Sequence, residues 1–210
     1  MERFKVYKPV FGWTQESYPE REDVATRFPD SAYCRQVHGT VIHYVNRPGF
    51  YGDGDGLYTD NDDVMLTVRT ADCNGIVLYD DECNYVMAIH AGWKGTASGI
   101  LEKGIGIMRE NRIDVTDIKL FFAPSARDCC YEVGEDIIPS FKPELLEYIH
   151  ERNGKLYCDL VGMNKRYAFS AGILEENITV EPKCTICDTS LFSYRRSKST
   201  DRHVVYIKKG

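Results

Sequence analysis

Apolar residues along this chain come in short runs, and those runs set the expected elements. Gly75–Tyr79 (GIVLY) and Tyr85–Ile89 (YVMAI) are each short enough to be a buried strand, and Asp81-Glu82 between them reads as a turn. The pair is therefore expected to form a hairpin. Thr40–Val45, Leu57–Thr59, Ile118–Phe122, Leu156–Leu160, Ile178–Val180 and His203–Lys208 are further strand candidates, as is Phe4–Tyr7 near the start. A different spacing governs Thr96–Asn111, where Ile100, Leu101, Ile105 and Met108 fall on one face of a helix that Thr96 or Ser98 can cap. Glycines at 99, 104 and 106 lower its helical propensity, which predicts tight packing on a sheet. Tyr131–Phe141, Pro143–Arg152 and Asn164–Ile173 are read as three more helices, the first two separated by a break near Pro139–Pro143. Strands outnumber helices and the two types alternate, so the fold class is α/β or α+β, with residues 1–210 expected as a single domain.

Composition and charge narrow the partners. With 43% hydrophobic and 28% charged residues the chain reads as a globular protein. No apolar run has bilayer length and MERFKVYKPV lacks an apolar signal core, so no membrane association and a cytoplasmic location are expected. A net charge of −6, with both signs mixed along the sequence, argues against nucleic acid and leaves room for a local basic pocket that takes phosphate. Arg195-Arg196 with Lys198 is the one compact basic cluster. The pattern demands no oligomeric partner. Eight cysteines without a secretion signal are expected as thiols in a reducing compartment. Cys184-Thr-Ile-Cys187 reads as half of a zinc ribbon or as a redox pair, but no second C-x-x-C accompanies it, and small buried or half-buried thiols are the favoured reading. Residues 49–56 (GFYGDGDG) look like a calcium-loop fragment without the spacing or distal Glu of an EF-hand, so a glycine-rich turn into Leu57–Thr59 is expected instead.

Candidate chemistry sits at the ends of the predicted strands. Cys73 stands just before the first hairpin strand and His90 just after the second, so the hairpin's open end brings together a thiol and an imidazole that are 17 positions apart. They are either a nucleophile with its base or two thirds of a metal site. His38, in AYCRQVHG before Thr40–Val45, is a third group at a strand-to-turn junction. Two imidazoles and one thiolate would make a three-ligand zinc site with an open position, although groups at strand ends are more often simply packed or hydrogen-bonded. Asp72 beside the thiol is a candidate to orient an imidazole or shuttle a proton, with turn capping as the alternative. Gln36 is a candidate for binding substrate or tying the turn, and Trp93 for stacking on a base or filling the core. Lys94 and Arg195 are candidates for a phosphate or carboxylate, with the N-terminus of the helix beside His90 adding amide donors.

QVHG (Gln36–Gly39), DGDGLYT (Asp53–Thr59), TADC (Thr70–Cys73), HAGWKG (His90–Gly95), CCYEVG (Cys129–Gly134), NKRYAFSAGI (Asn164–Ile173) and FSYRR (Phe192–Arg196) occur in this order over nearly the whole chain. In this they resemble the YfiH-like, laccase-domain family. The resemblance implies a layered α/β/β/α fold with mixed sheets, and a zinc site (sometimes copper) made by His38, Cys73 and His90. It also implies a small-molecule substrate: deamination of adenosine, and phosphorolysis of adenosine, inosine or methylthioadenosine with phosphate as partner. Asp72, Cys73 and His90 would then be the catalytic residues, and Gln36, Lys94 and Arg195 the substrate-binding ones. Three rival readings stay open. One is a metal-free cysteine hydrolase with Cys73 as nucleophile and His90 as base, resembling the deamidating cytotoxic necrotizing factors. Another is hydrolysis of an amide on a peptidoglycan precursor. The third is copper-dependent phenol oxidation, against which the five histidines (38, 43, 90, 150 and 203) argue, being too few for a multicopper centre. The chain departs from the family in a shorter N-terminus and in APSARD (residues 123–128), both expected to alter substrate contacts.

Overall fold

The computed structural model describes residues 8–210, so the expected strand Phe4–Tyr7 lies outside the described residues. In chain order the strands are β1 (Val10–Trp13), β2 (Ser31–Arg35), β3 (Ile42–Tyr44), β4 (Gly49–Asp53), β5 (Gly56–Thr59), β6 (Met65–Thr70), β7 (Asn74–Asp80), β8 (Val86–Ala91), β9 (Ile118–Phe122), β10 (Glu132–Val133), β11 (Ile149–Arg152), β12 (Lys155–Cys158), β13 (Ile178–Val180) and β14 (His203–Lys208). The α-helices are α1 (Arg21–Arg27), α2 (Trp93–Ala97), α3 (Ile100–Glu110), α4 (Leu160–Ala171) and α5 (Tyr194–Ser197). Six strands form a mixed sheet in the order β13-β9-β7-β8-β5-β3, five form a second in the order β1-β14-β6-β2-β4, and β10-β12-β11 make a small antiparallel sheet.

The apolar runs are continuous because the six-stranded sheet is buried on both faces. In β7, Ile76 and Leu78 face the helices while Val77 faces the five-stranded sheet, as the two-residue period requires. Ile100, Leu101, Ile105 and Met108 of α3, with Val161 and Ala168 of α4, cover the first face. Leu66 and Val68 of β6 and Val205 and Ile207 of β14 cover the second. The outer side of the five-stranded sheet is closed by Tyr18 and by Val24 of α1 against Val204. Helices, sheet, sheet and helix thus follow one another as the motifs led us to expect. Burying a Leu or Ile in either layer stabilises the fold by about 1.5–3 kcal/mol.

The expected helix Thr96–Asn111 is broken in two at Gly99, which takes the left-handed conformation (φ 74°) between α2 and α3. Gly104 accounts for the close packing: a Cβ there would meet Ile89 Cδ1 at 2.7 Å. Two other predicted helices are not α-helices. Glu132–Val133 pairs with β12 and is followed by a 3-10 turn, Glu135–Ser140, containing Pro139, which cannot donate to an α-helical ladder. Pro143–Tyr148 is also 3-10, and Ile149–Arg152 turns back as a strand through Asn153-Gly154, both at positive φ (53° and 73°) as a tight hairpin requires. The helix expected at Asn164–Ile173 starts earlier, at Leu160, where the Asp159 carboxylate accepts the Gly162 amide at 2.9 Å. No helix among the described residues is long and apolar enough to cross a membrane.

Candidate metal centre

The predicted hairpin forms, with Asn74 opposite Ala91 and Gly75 opposite His90. Cys73 and His90 therefore leave the same edge of the six-stranded sheet. Strand β5 runs antiparallel to β8, with Gly56 opposite Ile89, so Asp55 arrives at that edge as well. His38 comes from the turn between β2 and β3 and holds a positive φ of 60°, unusual for a residue with a side chain. What pins that turn is Asp55, which is fully buried. Its carboxylate accepts the amides of Val37 (3.2 Å), His38 (2.9 Å) and Gly39 (2.7 Å), and a second bond at 2.9 Å joins it to His90 Nδ1. One carboxylate thus orients the His90 ring and pins the turn that carries His38, leaving His90 Nε2 facing the thiol side.

The ligand atoms of His38, Cys73 and His90 lie within 4.8 Å of one another, and the two rings meet edge to face at 4.9 Å between centroids. His90 is buried, Cys73 half-buried and His38 exposed, so the cluster opens to solvent on the His38 side. The backbone of Gly92 closes over the cluster: a Cβ there would stand 2.8 Å from His38 Cδ2 and 3.0 Å from Cys73 Sγ. Burial alone would raise the Cys73 thiol, but the His90 charge and hydrogen bonds from both imidazoles bring it down to about 6. Burial would lower the His90 imidazole, yet the Cys73 thiolate and the Asp55 carboxylate lift it to about 9. Desolvation likewise opposes the Asp55 charge, and the His90 ring with the Gly39 and Val37 amides outweighs it and holds the carboxyl below its ordinary value. Two imidazoles, a thiol that ionises near neutrality and an open side fit a transition-metal ion.

The other candidates take different places. Gln36 is tied to the backbone of β6, accepting the Arg69 amide and donating to the Arg69 carbonyl, both at 2.8 Å. Asp72, at φ 84°, accepts the Thr185 hydroxyl (2.7 Å) and the Arg195 amide (2.7 Å); the carboxylate on His90 is Asp55 instead. Lys94 is exposed, with its ammonium over the Trp93 ring at 5.5 Å. Arg195 places its guanidinium 5.0 Å from the Tyr131 ring centroid. Asp55 and the arginines of the neighbouring cavity escape sequence reasoning. The signal for Asp55 was DGDGLYT, in which a carboxylate is framed by glycines at a strand start.

Two cavities flank the cluster. One of about 210 Å³ reaches Cys73 and His90 and is lined by four arginines, Arg21, Arg35, Arg69 and Arg202, together with Gln36 and Ala71. Arg35 is paired with Asp53 at its rim. The other, about 410 Å³, is bounded by Trp93, Tyr131, Glu132, Val133, Asp136 and Arg195. Burial, reinforced by the nearby Cys73 charge, pushes the Tyr131 hydroxyl well above its ordinary value, so it stays a neutral donor. A further cavity of about 520 Å³, lined by Arg127 and Phe169, contains none of these residues.

A family described as multi-copper polyphenol oxidoreductase laccase matches residues 20–209. The purine nucleoside phosphorylase of Aquifex aeolicus is 41% identical over 167 residues, covering 80% of this chain and 76% of its own length. Adenosine deaminase RL5, from an unknown prokaryotic organism, is 35% identical over 148 residues, 68% of this chain and 56% of that protein. The crystal structure of YlmD from Geobacillus stearothermophilus matches with a TM-score of 0.85 and 26% identity, covering 100% of this chain and 98% of that one.

Proposed function

The chain belongs to the multi-copper polyphenol oxidoreductase laccase family, and from that premise we propose that it is a zinc-dependent purine nucleoside enzyme that carries out phosphorolysis and adenosine deamination at one site. The observation that carries the reading is the arginine-lined cavity opening directly on Cys73 and His90. Four guanidinium groups around a space of about 210 Å³ suit a small oxyanion, and phosphate is the nucleophile that phosphorolysis needs. One relative named a purine nucleoside phosphorylase and another named an adenosine deaminase support the same substrate class.

His38, Cys73 and His90 would hold the zinc, with Asp55 fixing the His90 ring and the turn that carries His38. A zinc ion with three protein ligands supplies Lewis acidity at its open fourth position. Arg69, Arg202 and Arg21 hold and orient phosphate from the cavity side. The base lies in the neighbouring cavity against Trp93 and Tyr131, with Arg195 closing the wall. In phosphorolysis a phosphate oxygen bonds to ribose C1′ as the C1′–N9 bond breaks and the purine departs with a proton. The neutral Tyr131 hydroxyl is a donor suited to that base. In deamination a water oxygen adds at C6 and ammonia leaves. Asp72 acts here through its hydrogen bonds, holding Arg195 and the Thr185 loop rather than touching substrate.

The donor set does not fit a multicopper centre. Only His38 and His90 of the five histidines come together; His43 bonds the Asp53 carbonyl and His203 is tied to Thr14 and Phe192. The cysteine-hydrolase reading keeps one specific observation in its favour, a thiolate beside an imidazolium, and its natural substrate would be an amide such as that of a peptidoglycan precursor. Tag-free protein decides between them. We expect zinc at this site, lost together with adenosine and inosine turnover in Cys73→Ala, and inosine turnover that requires phosphate. Chelated protein that still hydrolyses an amide or ester through Cys73 would sink the zinc reading.

A further inference from the structure

Strand β13 lies parallel to β9, with Ile178 opposite Leu120 and Val180 opposite Phe122, so the two strands leave the sheet at the same edge. The loop after β9 carries Cys129 and Cys130, in a turn closed by the Cys130 and Tyr131 amides on the Arg127 carbonyl (2.9 and 2.8 Å). The loop after β13 carries Cys184 and Cys187, and an isolated bridge between Ser125 and Cys184 joins the two loops. All four sulfurs lie within 4.8 Å of one another; Cys187 Sγ is 2.8 Å from Cys130 Sγ and 3.5 Å from Cys129 Sγ. We propose that Cys129, Cys130, Cys184 and Cys187 form a second metal site, a closed four-thiolate site for structural zinc.

Three features support a cation rather than four idle thiols. A tetrahedral zinc with Zn–S near 2.3 Å sets its sulfurs about 3.8 Å apart, and the four sulfurs here lie within 4.8 Å of one another, with two of the separations at 2.8 and 3.5 Å. The Cys184–Cys187 segment is a tight turn closed by the Asp188 amide on the Cys184 carbonyl (2.9 Å), which presents both sulfurs of the C-x-x-C to the Cys129-Cys130 pair. Four thiolates on one zinc leave a net charge of −2, and guanidinium groups surround the loops. Arg196 donates to the carbonyls of Thr185 (2.6 Å), Ile186 (3.1 Å) and Asp188 (3.2 Å), and Arg152 donates to the Asp128 carbonyl. The C-x-x-C that lacked a partner in the sequence finds it in the adjacent pair Cys129-Cys130. The buried or half-buried thiols expected there are partly in the open, since Cys129 and Cys187 are exposed. Holding these loops fixes Tyr131, next to Cys130, and Thr185, which hydrogen-bonds Asp72.

This assignment is independent of the chemistry proposed at His38, Cys73 and His90, and its test keeps the two apart. Full-length, tag-free Cys73→Ala protein, expressed with zinc and purified anaerobically in reductant, should retain one zinc per chain; adding Cys187→Ser should remove it. Chelation should lower the Tm of Cys73→Ala protein and leave that of the double variant unchanged. Should the double variant fold poorly, cobalt(II) bound to Cys73→Ala protein should show intense thiolate-to-cobalt charge transfer with tetrahedral ligand-field bands. Iodoacetamide mapping should then find the four cysteines protected together by zinc and released together by chelator. Cys73→Ala protein without zinc, equal alkylation with and without the metal, or a Cys130–Cys187 disulfide in protein never exposed to oxidant each overturns the proposal.

Discussion

Two sulfur-bearing corners sit off the same edge of the six-stranded sheet and follow opposite plans. At His38, Cys73 and His90 the set is three donors, mixed in kind and open on one side, with a single buried carboxylate steering the His90 ring and the turn that carries His38. At Cys129, Cys130, Cys184 and Cys187 the set is four identical donors whose sulfurs lie within 4.8 Å of one another. Three-donor sites with an open position do chemistry, whereas closed sulfur sites hold structure. The first corner is fed by an arginine cavity; the second braces the loops behind Tyr131 and Asp72. On the proposed readings, catalysis sits at the ends of β7 and β8 and bracing at the ends of β9 and β13.

The comparison breaks most visibly at Asp55. Asp55→Asn removes the charge beside the His90 imidazole and turns an amide group toward the three backbone donors of the turn that carries His38. Loss of such an outer partner costs about 10–100-fold in metal affinity or activity. We expect that loss at the His38 corner alone, with zinc at the four cysteines untouched in chelator competition. Equal weakening at both corners, or none at the first, would end the claim that Asp55 serves one site.

A smaller effect, and a sharper one, is expected at Gly92. Its φ of −73° is ordinary for any residue, so Gly92→Ala costs no backbone strain. The new methyl instead presses on His38 Cδ2 and Cys73 Sγ. Overpacking costs about 1–3 kcal/mol, and at the lower end this is roughly a fivefold loss of metal affinity. Zinc affinity and turnover should fall together while Tm holds. A Tm loss without a zinc effect would mean that Gly92 serves packing, not the metal corner.

How far the sequence discloses each corner follows from contact range. Cys73 and His90 were legible because they flank one local hairpin of strongly apolar strands, and His38 because it stands at a strand-to-turn junction, where the resemblance points too. Asp55 was hidden, because a carboxylate among glycines reads as a turn and its partners are backbone amides. The four-cysteine corner needs β9 and β13 side by side, a pairing made across α4 that no local pattern announces. β6 escaped for another reason: Leu66 and Val68 face the core while Thr67 and Arg69 alternate with them, so no apolar run marks the strand. In residues 131–152 helical spacing was outweighed by Pro139, Pro143 and the Asn153-Gly154 turn.

The smallest effect concerns an imidazole that neither corner uses. His203, buried on β14, bonds the Thr14 carbonyl through Nδ1 (2.7 Å) and accepts the Phe192 amide at Nε2 (2.9 Å), which sets the neutral tautomer with the proton on Nδ1. Burial lowers its pKa below the ordinary 6.5, with the Thr14 bond and the Asp72 charge opposing in part. Above about pH 6.5 the folded and unfolded chains both hold a neutral ring, and His203 adds no pH dependence. As the pH falls through that value the unfolded chain takes the proton first, so stability declines, and it levels once the folded ring is protonated too. One proton limits the slope to about 1.4 kcal/mol per pH unit. His203→Gln, which cannot titrate, should therefore lose less Tm than the parent between about pH 7.5 and 5.5. Parallel profiles would mean that His203 does not carry the acid sensitivity, and the same pair of scans on Cys73→Ala protein would then test the Cys73 thiol, which is held down to about 6 and loses its contribution as the pH falls through that value.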